Sequence, residues 1–179
     1  LIPTTCGTGS EGNGFAVLTN PENGDKKSLR CNAIVAKCSI IDSECMMTMP
    51  SCILASVGFD AFCHCMEAYI SKIGQPLTDM MSVYGMQQLG KYLVPLFEGD
   101  NSKEAWDYVS FASTLGGMVI NTAGVTLPHG MEHPASGLKN IVHGKGLAAI
   151  TPVVMDATIE GCPDKFDVIS KCLGGNGTS

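Results

Sequence analysis

The sequence changes its periodicity once, from short strand-and-turn segments to long helical runs. In the first part, apolar and β-branched residues stand over 1–5, 15–19 and 39–42, separated by clusters of glycine, asparagine and proline. In the second part, apolar residues recur at intervals of three and four, which is the spacing of one helix face. We therefore predict a strand-rich end of an α/β domain over 1–47 and an all-helical domain over 48–179.

Breaks in the second pattern divide it into separate helices. We expect helices over about residues 51–71, 76–97, 128–137 and 144–156, one that follows the N-cap pair Asn101–Ser102, and a last one that begins at Pro163. The adjacent Gly116 and Gly117 lie inside the helix that follows Asn101–Ser102 and predict close packing against another backbone.

Composition excludes several kinds of partner. The formal net charge of −6 argues against nucleic acid, because phosphate binding needs a basic face. No run of about 18 uninterrupted apolar residues is present, so we expect no membrane partner. The nine cysteines include no Cys-x-x-Cys pair, which indicates reduced thiols and a cytoplasmic location. The chain begins without methionine and ends in loop-forming residues, so we expect a piece of a longer protein.

A glycine-rich turn follows the first apolar run. Residues 7–12 fit the pattern G-x-G-x-x-G, but the next residues predict a turn and a strand, whereas a dinucleotide fingerprint requires a helix. Hydroxyl groups from Thr4, Thr5, Thr8 and Ser10 stand beside this flexible backbone and could approach a nucleotide. A plain glycine turn is the alternative interpretation.

The four histidines of the chain lie in two segments. Asp60 and His64 are four residues apart and share one helix face; His129 and His133 repeat that spacing, and His143 follows at a predicted helix start. Three imidazoles and one carboxylate would suit a divalent transition metal with a coordination position left for substrate. Hydrogen-bonded core histidines are the alternative.

A second alternative arises at the same place. His129-x-x-Glu132-His133 matches the H-x-x-E-H motif of zinc hydrolases, with Glu132 as the general base. Gly130 and Pro134 disfavour a regular helix there, and the motif leaves Asp60 and His64 unexplained.

Taken together, these segments resemble the iron-dependent (group III) alcohol dehydrogenase family. The matching stretches are IPTTCGTGSE at 2–11, GFDAFCHCMEAY at 58–69, HGMEHP at 129–134 and HG at 143–144. The resemblance implies a dehydroquinate synthase-like architecture, in which an N-terminal α/β domain binds the nucleotide and a helical domain carries the metal. It also implies that the phosphate-binding glycine segment and further C-terminal helices lie outside this sequence.

The resemblance further implies roles for individual residues. Asp60, His64, His129 and His143 would bind Fe2+ or Zn2+, and His133 would lie near the nicotinamide and the reaction centre. The residues at cofactor-contacting positions are Thr4, Thr5, Thr8 and Lys26, with Lys27 a close alternative to Lys26.

The implied reaction is the NAD- or NADP-linked interconversion of primary alcohols and aldehydes. The implied full-length protein is a homo-oligomer that acts on a small molecule. Two other function classes stay open at this point: an H-x-x-E-H hydrolase, and a helical fragment whose histidines have structural roles only.

Overall fold

A two-stranded antiparallel hairpin precedes six α-helices in the computed structural model, which describes residues 1–177. The elements are β1 (Phe15–Thr19), β2 (Lys26–Arg30), α1 (Ser51–Ile70), α2 (Pro76–Phe97), α3 (Lys103–Ala123), α4 (Leu127–Lys139), α5 (His143–Thr158) and α6 (Pro163–Cys172), with short 3-10 helices at Asn32–Ile34, Ser43–Cys45 and Ile159–Gly161. The predicted fold class, a strand-containing N-terminal part followed by an all-helical part, is confirmed. The division at residues 47 and 48 into two domains stays a prediction.

Local signals set the helix ends. The Ser102 hydroxyl accepts the N–H of Ala105 at 3.3 Å and so caps the start of α3. Gly124, with φ of 70°, ends that helix, and Asn140, with φ of 51°, ends α4. Pro76 stands in the first turn of α2, where the missing N–H has no cost. These ends explain why the helices could be placed from the sequence to within a few residues.

Helix α1 is the central core element. By length and composition it could cross a membrane, yet 61% of its most apolar stretch is buried inside the protein. It packs against α2, α3 and α5, and Leu54 and Met66 belong to the core that Met86 and Val109 complete. The same helix buries the carboxylates Asp60 and Glu67, which makes it a core helix with a polar site on one face.

The glycine pair of α3 packs closely against other backbone, as predicted: Gly117 against the N-terminal loop and Gly116 against α1. A Cβ atom on Gly117 would overlap the backbone of Gly9, and one on Gly116 would lie 3.2 Å from the Cβ of His64. Gly9 itself has a φ of 56°, which a side chain would disfavour. Close backbone contact therefore holds the glycine-rich turn on the helical part.

Two predicted strands were wrong. Residues 1–5 and 39–42 are irregular, although the N-terminal ammonium of Leu1 donates to Cys38 O at 2.7 Å and Ile40 N donates to Leu1 O at 3.0 Å. Two hydrogen bonds without continuation do not form a ladder. Asp42 instead caps a 3-10 helix by accepting the N–H of Glu44.

One strand was missed. Residues 26–30, whose polar side chains gave no strand signal, pair with β1 in the register Phe15 with Arg30 and Thr19 with Lys26. The turn between the strands is closed by bonds from Asn20 N to Asp25 O and from Gly24 N to Asn20 O. The partner strand and its turn thus determine β2.

Candidate metal centre

Three helices bring four of the predicted site residues to one point. Asp60 and His64 lie one turn apart on α1, His129 lies in the first turn of α4, and His143 is the first residue of α5. Oδ1 of Asp60 lies 3.3 Å from Nε2 of His129, 3.5 Å from Nε2 of His64 and 3.6 Å from Nε2 of His143. One carboxylate oxygen therefore has three imidazole nitrogens around it, each from a different helix.

These separations fit a common ion. Metal–ligand bonds of about 2.0–2.2 Å in a tetrahedral site place neighbouring ligand atoms about 3.3–3.6 Å apart. The three distances from Asp60 Oδ1 fall in that range, and two of them are too long for good hydrogen bonds. The donor set of imidazole nitrogens and one carboxylate suits zinc and iron equally.

Burial and charge also distinguish this cluster from the protein surface. Asp60, His64 and His129 are all buried. Burial opposes ionisation of Asp60, but the imidazoles of His64, His129 and His143 together hold the pKa of its carboxyl below the usual value. Nδ1 of His64 is buried without a hydrogen-bond partner within residues 1–177, so the polar surroundings of that ring lie on the Asp60 side.

Two further carboxylates hold the outer nitrogens of the imidazoles. Oε1 of Glu67 lies 2.6 Å from Nδ1 of His129, and Oε2 of Glu132 is hydrogen-bonded to Nδ1 of His143. Both glutamate side chains are fully buried. Because a carboxylate only accepts, both Nδ1 atoms donate, which leaves each Nε2 directed at the cluster.

The role of Glu67 was missed in the sequence. Glu67 follows Asp60 by seven residues and His64 by three, so all three share one face of α1, and that spacing is the signal that could have identified it. The H-x-x-E-H interpretation makes Glu132 a general base. In the structure it is enclosed and bonded to His143, an arrangement that does not favour the H-x-x-E-H hydrolase interpretation.

His133 lies beside the cluster but outside the group around Asp60. Its ring centroid is 5.8 Å from that of His129 and 5.4 Å from that of His143. The pKa of His133 is lowered to about 4, mainly by burial and also by the neighbouring His129 and His143. The ring is half-buried and faces a cleft.

This cleft of about 760 Å³ lies between the hairpin and the helices, and the cluster forms its inner end. Thr8, Lys26 and His133 line it together with Asp60 and the other three histidines. Thr4 is exposed and Thr5 half-buried, and neither belongs to its lining in the part of the chain that the structure describes.

The two adjacent lysines of β2 differ sharply. The Lys26 ammonium points inward, donates to the Ser136 hydroxyl at 2.7 Å and lies 3.7 Å from Oε2 of Glu132. Lys27 points to solvent with 77% of its side chain exposed and pairs with Asp25. Of the two, Lys26 is the one that faces the cleft.

The cysteines next to His64 point away from the cluster. Cys63 Sγ lies 3.5 Å from the hydroxyl of Thr151, and Cys65 Sγ lies 3.9 Å from the carbonyl oxygen of Ala112. Burial raises the pKa of Cys65 to about 12, so this side chain behaves as a small apolar group.

Comparison with known proteins identifies similar sequences along most of the chain. A family model described as "Iron-containing alcohol dehydrogenase" matches residues 1–43, and one described as "Fe-containing alcohol dehydrogenase family, C-terminal" matches residues 54–179. The chain is 33% identical over 173 residues to choline dehydrogenase of Bacillus subtilis, covering 97% of this chain and 43% of that protein. It is 31% identical over 177 residues to the NADPH-dependent butanol dehydrogenase of Clostridium saccharobutylicum, covering 98% of this chain and 45% of that protein.

A solved structure shows the same arrangement of elements. An iron-containing alcohol dehydrogenase from Thermotoga maritima superimposes with a TM-score of 0.89 at 33% identity, covering 98% of this chain and 48% of that one. The chain thus spans less than half the length of these three relatives.

Proposed function

The chain belongs to the iron-containing alcohol dehydrogenase family, and from this membership we propose that the whole protein interconverts primary alcohols and aldehydes. The observation that carries the proposal is the meeting of three imidazole nitrogens at one oxygen of Asp60, at the inner end of an open cleft. Other residues that line the same cleft would bind the substrate and a nicotinamide dinucleotide.

Asp60, His64, His129 and His143 would hold the metal, Fe2+ or Zn2+. A divalent ion supplies Lewis acidity toward the oxygen of an alcohol or aldehyde. Glu67 and Glu132 orient the imidazoles of His129 and His143 from behind, so the protein itself presets the directions of these ligands.

The residues we assign to the dinucleotide, NAD or NADP, are Thr4, Thr5, Thr8, Lys26 and His133. A nicotinamide ring supplies the hydride acceptor or donor. Thr8 and Lys26 support this assignment because both line the cleft, where a hydroxyl and an ammonium can bind polar and anionic groups. Thr4 and Thr5 rest on the family resemblance alone.

We assign His133 the transfer of the hydroxyl proton between substrate and solvent. Its ring lies between the metal-binding cluster and the open cleft and is half-buried, so one side can meet substrate while the other meets water. It contacts the reacting atoms in this proposal and would be a catalytic residue rather than a ligand.

The substrate would be a small molecule, since the net charge of −6 opposes binding of nucleic acid. We further propose a cytoplasmic homo-oligomer as the full-length form. Size-exclusion chromatography with light scattering would measure the number of subunits.

The test is metal content measured together with turnover in the full-length protein. We expect one ion per chain, and a change in nicotinamide absorbance when a primary alcohol is added. His64→Ala and His143→Ala should each lose metal and turnover together. Full metal content in either variant would exclude that residue as a ligand, and peptide hydrolysis without nicotinamide turnover would favour the hydrolase alternative.

A further inference from the structure

We propose that Glu132 is a positioning residue for His143 and that Lys26 of the hairpin balances its buried charge. This inference rests on the proposed metal centre. It adds to that centre a connection to the hairpin wall of the cleft, which lies more than a hundred residues earlier in the chain.

The side chain of Glu132 is completely buried, and its Oε2 accepts the Nδ1–H of His143. His143 is the first residue of α5 and its side chain is 30% exposed, so packing does not enclose its ring on every side. The bond to Glu132 is what directs Nε2 of His143 toward Asp60.

Helix α5 leaves space for the Glu132 carboxylate. Gly146 faces Glu132 from the next turn of α5, and a Cβ atom there would lie 2.8 Å from Cγ and 2.9 Å from Oε1 of Glu132. A side chain at position 146 would therefore displace the glutamate. Because Gly146 has no side chain, the Glu132 side chain from α4 can reach His143.

The buried charge of Glu132 is balanced by Lys26. A buried carboxylate is costly unless it is paired, and Lys26 Nζ lies 3.7 Å from Oε2 of Glu132. The Lys26 side chain is 16% exposed, and its ammonium is fixed by the Ser136 hydroxyl, one turn after Glu132 on α4. The hairpin thus supplies the cation that lets an anionic side chain stand behind a metal ligand.

An alternative use of the same atoms is an ion of their own. Donor atoms of Glu132, His133 and His143 lie within 4.8 Å of one another. His143 already presents Nε2 to the cluster, 3.6 Å from Oδ1 of Asp60, so binding an ion through Nδ1 as well would require its ring to lose both protons. We therefore assign a hydrogen bond.

Metal affinity of the full-length protein tests the positioning role. Glu132→Gln keeps the shape of the side chain but removes its charge, and we expect the dissociation constant for Zn2+, measured against a chromophoric chelator, to rise about 10–100-fold. The visible spectrum of the Co2+-loaded variant should also change, because it reports ligand geometry. Glu160→Gln, an exposed glutamate, is the matched control and should leave both unchanged.

A second measurement does not depend on the folding of a variant. In the Zn2+-loaded wild-type protein, nitrogen NMR of the histidine side chains should show Nδ1 of His143 protonated and Nε2 bound to metal. A metal-bound Nδ1, or two ions per chain, would overturn the assignment. Wild-type affinity and an unaltered Co2+ spectrum in Glu132→Gln would overturn it as well, whereas failure of the wild-type protein to bind any metal would overturn the proposed function itself.

Thermal unfolding tests the role of Lys26. Lys26→Met leaves a buried carboxylate without its cation and should lower the midpoint by about 5–10 °C, while the same change in the Glu132→Gln background should cost much less. Lys27→Met is the neighbouring control, since Lys27 faces solvent. Equal losses in the two backgrounds would show that Lys26 does not balance Glu132.

Discussion

Nδ1 of His129 lies 2.6 Å from Oε1 of Glu67, and this buried pair joins α4 to α1 across 62 residues of sequence. The other oxygen of Glu67 accepts the N–H of Thr126 at 2.6 Å and its hydroxyl at 3.2 Å. One carboxylate therefore fixes both the start of α4 and the imidazole in its first turn. The cluster depends on a side chain that does not itself point at it.

Glu67→Gln should weaken both folding and metal binding. The amide offers one acceptor oxygen and places an NH2 group against a donor, so at least one buried N–H or O–H loses its partner. We expect a loss of about 1–3 kcal/mol in the free energy of unfolding and a metal dissociation constant about 10–100-fold higher. Urea unfolding before metal addition and a chelator competition measure the two effects.

The control for this variant is Glu22→Gln, an exposed glutamate in the hairpin turn. It should change neither quantity. A Glu67→Gln protein with normal affinity for metal would show that the bond to His129 has no influence on the ligand.

Two helical glycines should respond in opposite directions to alanine. In Gly117→Ala the new Cβ overlaps the backbone of Gly9, so the N-terminal loop must shift, at a cost of about 1–3 kcal/mol. In Gly130→Ala the new Cβ has nothing within 4 Å, and the better helix propensity should stabilise the protein by about 0.5–1 kcal/mol. Urea unfolding measures both; a stable Gly117→Ala protein would contradict the backbone contact.

The helices could be predicted because their signals are local. Pro76, Ser102 and Gly124 mark ends whatever lies around them, since they act through their own backbone or the next turn. The strand at residues 26–30 could not be predicted, because its side chains carry no alternation and its partner strand decides its conformation. Residues 39–42 show the reverse case, an apolar run without a partner strand.

The candidate site also has a part that the sequence predicts and a part that only the packing of the helices decides. The spacing of Asp60 with His64 placed two groups on one helix face, but spacing alone treated His129 and His133 as equals. Of these two, the structure places His129 and not His133 beside Asp60, because the packing of α4 against its neighbours decides which turn faces the cluster. Glu67 contributes through an imidazole from another helix; its spacing places it on the Asp60 face of α1 but does not show which imidazole it contacts.

His133→Ala should separate binding of metal from turnover. The ring stands beside the cluster without joining the group around Asp60, so we expect unchanged metal content and a turnover number about 10²–10⁴-fold lower in the full-length protein. Elemental analysis and nicotinamide absorbance on the same preparation measure the two quantities. Loss of metal together with turnover, as expected for His143→Ala, would make His133 a ligand.

Divalent ions should stabilise the protein through Asp60. An ion that binds only the folded chain raises the free energy of unfolding by about 2.7 kcal/mol at a concentration 100 times its dissociation constant, which corresponds to a rise of about 5 °C or more in the unfolding midpoint. Zn2+ should produce this rise and Mg2+ should not, because imidazole ligands favour transition metals. Asp60→Asn keeps the side-chain shape but removes the charge that three imidazoles surround, so the same Zn2+ concentration should raise its midpoint less than that of the wild type. Asp156→Asn, an exposed position on α5, should respond like the wild type. A Zn2+-dependent rise of normal size in Asp60→Asn would show that Asp60 is not a ligand of the ion.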